Sequence, residues 1–491
     1  MTKLKNKYKN AHDIDFFKDL KSTTSPKCAV ILPYLIMLMP IISWFLLTLG
    51  EMIFHIDIFM FHMNMLPLLL VAFTIVCVFL VLDLPAFFIK KDTLPFKVML
   101  KETITQKPEV VLLCLTFLWM LIASFFADNF PTPFKIYINF IDGLYLQEGI
   151  LYFVAYFVIF ICAVKQRDGN IQKHILSAFL VCSTLICLTT LVFNHNELII
   201  SSQNNTNWAN GFVNSNHLGY VLCLATALLG ICFCLSKKWK WQTLFISLLT
   251  LHLLVMMFND TLGCNLAIFI GFILLPIICS IKKHKFDYLS FVPLVLLIAV
   301  SFICIPIAPK VDSTYKSLLG QIWGVIKDFL QVTKDPLAEE TKKAGTNRWE
   351  LWLSAFEAIK KYPIFGDGQM IEKPHNEYLQ ICAHSGIPCL LLYLASLITL
   401  AVKSIKNFKN LSLLTLAELF TVLCYLISAF FGNTMPHTFP FFMVILGFTM
   451  CSLNEDIKRA KKEIDHKITE KLVTTGDIEP STTIAETAKN A

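Results

Sequence analysis

Arginine is almost missing from this chain: Arg167, Arg348 and Arg459 are the only three in 491 residues. Charge of either sign is also scarce. Asp, Glu, Lys and Arg make up 16%, against roughly a quarter in a soluble chain, and that shortage excludes an ordinary water-soluble fold. There is no Cys-x-x-Cys pair and no evenly spaced external set among the 16 cysteines, so neither a zinc site nor a disulfide framework is indicated. Most cysteines, such as Cys77, Cys114, Cys162, Cys182, Cys187 and Cys223, sit inside apolar runs and act there as small apolar residues.

Apolar length is abundant. The chain is 56% hydrophobic with 42 phenylalanines and a mean hydropathy of +0.63. Runs of about 20 apolar residues, enough to cross a bilayer, recur along it. The expected fold is an all-α, polytopic membrane protein, because a spanning segment must satisfy its backbone hydrogen bonds internally. Twelve spans are expected near 28–50, 64–86, 109–127, 148–164, 174–193, 216–236, 241–258, 262–281, 288–308, 386–402, 411–431 and 437–453. Residues 1–27 read as a segment before an uncleaved anchor, since they carry acidic residues and no cleavage-type sequence. Residues 28–453 form one membrane domain. Beyond Asn454 a short helix with Ile457, Ala460, Ile464 and Ile468 on one face precedes a tail of disordered composition.

Lysine sets the orientation. The alternate loops 87–108, 165–173, 237–240, 282–285 and 403–409 hold 17 Lys and Arg, whereas the opposite set holds Lys135 alone. The first set is therefore expected in the cytoplasm, with both termini. The net charge of +7 reports this topology and not nucleic-acid binding. One long loop, about 309–385, then faces outward.

That loop carries Arg348, the one arginine on the outer side. Asn347 and Glu350 are spaced like a capping box, which predicts a helix with Arg348 in its first turn. Trp349, Trp352, Leu353, Phe356 and Ile359 form an apolar stripe, and Pro363 with Gly366-Asp367-Gly368 ends the helix. Two readings stand for Arg348. The tryptophans can anchor the helix at the interface with the arginine on headgroups, or the guanidinium at a helix N-terminus can bind an anion. His375, in "KPHNEYLQICAHSGIP", reads either as a hydrogen-bonded histidine opening a helix or as a general base. Asn376 orients its ring or caps the helix. A metal site from Asp367, His375, Glu377 and His384 is disfavoured, because positions 375 and 384 point to opposite faces of one helix.

The residues His375, Asn376 and Gly386 resemble the signature of the O-antigen ligase and O-antigen polymerase superfamily: His, then Asn, Ser or Gln, nine residues, and Gly. Cys389 stands where that signature has Gly, Thr or Tyr. Arg348, Trp352, Pro363, Gly366 and Gly368 are similar to the family's Arg–Trp–…–Pro–x–x–Gly–x–Gly segment. "NGFVNSNHLGYVL", with Asn214 and Asn216, resembles its entry into a middle span, and "NDTLGCNLA", with Thr261, resembles the start of another. The resemblance covers about 200–430. It implies a type-C glycosyltransferase fold in the bacterial cytoplasmic membrane, with its active site on the outer face. Such an enzyme moves a glycan from a polyprenyl (undecaprenyl) pyrophosphate carrier to an acceptor hydroxyl, without cofactor or metal. The residues it implies are His375 as base, Asn376 as its orienting partner and Arg348 on the pyrophosphate. Glu148, Asn216, Thr261 and Gly368 would support them. Relatives carry further arginines near Thr261 and Glu148, and this chain has none there, so a second cation would be a lysine such as Lys310 or Lys316.

Within the class, a polymerase joining lipid-linked repeat units is the alternative to a ligase. A twelve-span transporter is the reading outside it. The long loop after the ninth span and the lack of matched Gly/Pro-interrupted helices in the two halves count against transport.

Overall fold

In a computed structural model, the described residues are 28–54, 69–74, 104–127, 149–193, 212, 215–305, 317–345, 347–368 and 373–474. The expectations placed on residues 1–27, most of 64–86, Glu148, Asn214, Lys310, Lys316 and the tail beyond Thr474 lie outside them. Among the described residues the regular elements are helices. In chain order the α-helices longer than two turns are α1 (Cys28–Phe54), α2 (Pro108–Phe126), α3 (Ile150–Lys165), α4 (Gly169–Phe193), α5 (Ser215–Leu235), α6 (Trp239–Asn259), α7 (Leu262–Lys283) and α8 (Val292–Cys304). There follow α9 (Leu318–Lys334), α10 (Arg348–Lys361), α11 (Glu377–Ser385), α12 (Ile387–Lys406), α13 (Leu413–Ser428) and α14 (Phe439–Thr474).

Seven of these stretches are long and apolar enough to cross a bilayer: α2, α5, α6, α7, α12, Gly169–Leu191 of α4 and Leu413–Phe431 around α13. Val30–Ser43, α3 and Tyr288–Cys304 are apolar but shorter. The chain is thus a multi-pass helical membrane protein. Twelve full-length crossings are not found among the described residues. The last expected span and the tail helix are also one element, α14, because no proline or glycine interrupts the chain between Phe448 and Thr474. Ile457 packs against the core, while Ile464 and Ile468 are exposed.

The bundle is built around α5, whose membrane-crossing stretch is 89% buried and which packs against α6, α7 and α13. At the lysine-rich end a polar clamp ties three helices. Buried Glu109 of α2 accepts from Lys403 of α12 (2.8 Å) and from Asn454 Nδ2 of α14 (2.7 Å). Asp456 of α14 accepts from Ser412 N–H and Thr415 Oγ1 at the start of α13, both at 2.6 Å. A carboxylate there also meets the positive end of the helix dipole.

At the other end α9, α10 and α11 form a layer over the helix ends. The sequence predicts one surface helix in this stretch, and α9 is an additional one. Gln321 docks it on the α6–α7 turn by accepting from Asn265 Nδ2 (3.1 Å) and donating to Asp260.

Candidate functional site

α10 begins at Arg348, as its sequence predicts, but the capping box does not form. Asn347 is left-handed (φ 68°) and makes no side-chain cap. Backbone bonds from Asn347 N–H to Lys343 (3.1 Å) and from Trp349 N–H to Ala344 (3.3 Å) close the turn instead. The apolar stripe is not buried as a unit either. Phe356 is exposed, and Ala355 is the fully buried residue of the helix. The two tryptophans are partly buried, and each ties its indole N–H to a neighbouring segment. Trp349 Nε1 donates to Pro336 O and Trp352 Nε1 to Pro374 O, each at 2.8 Å. Trp352 thereby holds the residue that precedes His375.

Arg348 turns inward. Its Nη1 is buried without a hydrogen-bond partner, and the guanidinium is near enough to Tyr220 of α5, Cys264 of α7 and His375 to act on each electrostatically. Burial draws its own pKa down. A desolvated guanidinium with an open donor is a strong anion site.

His375 stands outside α11, with φ 49°. Asn376 is the N-cap: its side-chain oxygen accepts from Leu379 N–H at 3.0 Å. Of the two sequence readings for Asn376, the cap is the one formed. The ring contact comes from Asn433, whose Nδ2 lies 3.3 Å from His375 Nδ1. As placed, Asn433 Oδ1 is buried without a partner. With the amide turned over, that oxygen accepts from Nδ1–H and leaves the lone pair on Nε2, the tautomer a base needs. Burial first, then the positive charges of Arg348 and Lys373, lower the pKa of His375 to about 4.

Lys373 is the cation the sequence reading missed. Its Nζ lies 3.1 Å from Met435 Sδ, and it acts electrostatically on His375, His217 and His437. Its signal was its place two residues before the histidine. Glu377 was also missed as a structural group. Its buried carboxyl accepts from Tyr393 (2.8 Å) and Tyr425 (2.9 Å). Burial raises its pKa to about 7, with those two bonds opposing the rise.

The glycines lock the two halves together. Asp367 N–H donates to Ala383 O (2.7 Å), Gly368 N–H to His384 O (3.2 Å) and Ile387 N–H to Pro363 O (2.8 Å). The turn after α10 thus satisfies carbonyls at the C-terminal end of α11 that no helix bond can reach. Gly366 and Gly386 have φ of 74° and 86°, and a Cβ on Gly386 would lie 1.9 Å from Ile364 O. Trp119 of α2 braces the joint, stacking on Phe365 and donating to Ser385 O at 2.9 Å.

The floor is made by helix ends. Asn216 is in the first turn of α5, and Thr261 precedes α7 and accepts from Asn259 Nδ2 at 2.7 Å. Gly219 passes so close that a Cβ there would meet Thr261 Oγ1 at 2.6 Å. Gly368 serves the turn described above, and Glu148 is outside the described residues. His384 lines a separate cavity of about 20 Å³ with Met120, Tyr152, Tyr156, Gln380 and Thr434. That is room for little more than one water. Among the described residues no three His, Cys, Asp or Glu side chains gather as metal ligands would.

Fold and site define a multi-pass membrane protein with a positively charged, imidazole-bearing site where the bundle meets its polar layer. Residues 247–394 match the family model described as O-antigen ligase, which bears out the resemblance to the O-antigen ligase and polymerase superfamily. The matched stretch includes Arg348, Lys373, His375, Asn376 and Gly386. It supports a ligase- or polymerase-type role in glycan assembly. No curated protein matches the chain.

Proposed function

We propose that the protein transfers a glycan from a polyprenyl pyrophosphate carrier to an acceptor hydroxyl, by a single inverting displacement at the outer face of the cytoplasmic membrane. The observation that carries this reading is the buried, unpartnered Nη1 of Arg348 beside His375. Arg348 and Lys373 hold the diphosphate, which makes it a better leaving group. The acceptor oxygen attacks the anomeric carbon, the bond from that carbon to the diphosphate oxygen breaks, and His375 Nε2 takes the hydroxyl proton. The carrier leaves as its diphosphate, and the configuration inverts.

The depressed pKa of His375 has a mechanistic use. Alone, the imidazole beside two cations is a weak base. A bound diphosphate neutralises those cations and returns the part of the basicity that they remove, while the larger part lost to burial stays, so His375 gains basicity when the donor is in place. Ligation to a foreign acceptor and polymerisation of lipid-linked repeats share this chemistry and differ in the acceptor.

The test uses purified protein, the lipid-linked glycan and a panel of acceptors, with a chelator present. His375→Ala should lose about 10²–10⁴ in turnover, and Gln should not rescue it. Arg348→Lys keeps charge but loses the two-pronged fork, so it should be impaired and Arg348→Ala more so. Near-normal transfer by His375→Ala ends the base assignment. A fully active Arg348→Ala ends the diphosphate assignment, and inhibition by the chelator reopens a metal.

A further inference from the structure

His217 and His437 have no role in the chemistry above. His217 is in the first turn of α5 next to Asn216, and His437 is in the turn that leads into α14. Their rings stack with centroids 4.5 Å apart and planes 17° from parallel. His437 is fully buried. Both of its ring nitrogens, and Nδ1 of His217, are buried without a hydrogen-bond partner. Buried polar atoms are nearly always bonded, and three orphaned nitrogens at one spot point to a ligand.

A neutral imidazole has one N–H and one bare nitrogen. The pair therefore presents donors and acceptors together. A phosphate oxygen accepts and would leave the bare nitrogens unpaired, and a polyprenyl tail does neither. A hydroxyl both donates and accepts, so a sugar ring is the chemistry that fits. The position agrees. Lys373 and His375 act electrostatically on His217, and the Gly432–Thr438 connection supplies both Asn433 to His375 and His437 to the stack.

Resting on the transferase reading of the site, we propose that the His217–His437 pair is a sugar subsite, which recognises the hydroxyls of the glycan held next to His375. His217 is partly exposed and meets the sugar first, with His437 beneath it.

The experiment uses full-length protein in nanodiscs. The probes are bare undecaprenyl diphosphate and the lipid-linked glycan extracted from cells that lack this protein. Wild type should bind the glycan-bearing carrier at least about tenfold more tightly than the bare one, as a set of neutral hydrogen bonds allows. His217→Phe and His437→Phe keep a flat ring in the stack and remove the nitrogens. Each should bring that ratio towards one, with an unchanged or higher thermal midpoint because orphaned polar atoms are gone. A ratio that survives, with the KM for the acceptor raised about tenfold or more, assigns the subsite to the acceptor's sugar. Variants that keep both the ratio and the acceptor KM overturn the subsite, and a lowered thermal midpoint with both kept marks a packing role. Should neither variant fold, the ¹⁵N resonances of the histidine rings in wild type decide: two rings unmoved by the glycan-bearing carrier also overturn it. Wild type that binds neither carrier refutes the transferase reading instead.

Discussion

In the proposed mechanism His375 needs a free lone pair and a suitable proton affinity, and most of the groups around it come from other parts of the chain. The Asn433 amide lies against its Nδ1, Trp352 holds the residue before it, and burial first, then Arg348 and Lys373, lowers its proton affinity. The sign of the pH dependence follows. In the proposed mechanism the neutral ring is the active form, and its pKa is depressed to about 4. Activity should therefore be retained well below the ordinary histidine value and fall only as pH drops through about 4. That limb belongs to kcat/KM, which reports the free enzyme, whereas the limb in kcat reports the complex. Since a bound diphosphate offsets the two cations, the kcat limb should lie higher. Lys373→Met removes one cation and should move the kcat/KM limb upward. The check is a pair of pH–rate profiles for wild type and Lys373→Met, and a limb near 6.5 in both would refute the electrostatic account. Arg348 and His375 were legible in the sequence from residue type and local pattern. Asn433, His217 and His437 were not, because each acts through a partner on another element, whereas Lys373 stood in view two residues before His375 and was passed over.

At the scale of elements, the turn after α10 and the short helix α11 behave as one part. The turn's N–H groups cap α11, and Gly386 lets the chain pass directly from α11 into α12. With φ 86° and ψ 166°, Gly386 occupies backbone space that is essentially reserved for glycine. Gly386→Ala should cost about 1–3 kcal/mol from backbone strain alone, and more from the clash with Ile364 O. Gly324 makes the contrast. It lies inside α9 with nothing within 4 Å of a Cβ, so Gly324→Ala should stabilise by about 0.5–1 kcal/mol. Thermal unfolding of the two variants in the same detergent checks the pair. Equal midpoints would mean that the α10–α11 joint tolerates a side chain. The sequence motif marked Gly366 and Gly386 without their reason, which is the meeting of two backbones.

For the whole molecule, the distribution of lysine predicts that both termini and the clamp of Glu109, Lys403 and Asn454 face the cytoplasm, and that α9 to α11 face outward. Glu339 and Glu463 are both exposed, and the native cysteines from Cys114 to Cys451 are buried or partly buried. Cysteines placed at 339 and 463 should thus report each side cleanly. An impermeant thiol reagent on intact cells should label position 339 and spare 463, and the reverse pattern would invert the protein in the membrane.

The sequence by itself determined that the chain is helical and membrane-embedded, because apolar runs of spanning length have no other way to satisfy their backbone in lipid. It also placed Arg348 at the start of a helix and His375 just before another. Tertiary structure decided the rest. Asn376 went to the cap and Asn433 to the histidine, the tryptophan N–H groups met carbonyls of neighbouring segments, and the last span ran on into the tail. It also stacked His217, in the first turn of α5, on His437, 220 residues later in the chain. Local propensity is read from neighbours in sequence. A hydrogen bond, a shared charge or a stacked ring depends on what packing brings within a few ångströms, and no local pattern in the chain carries that distance.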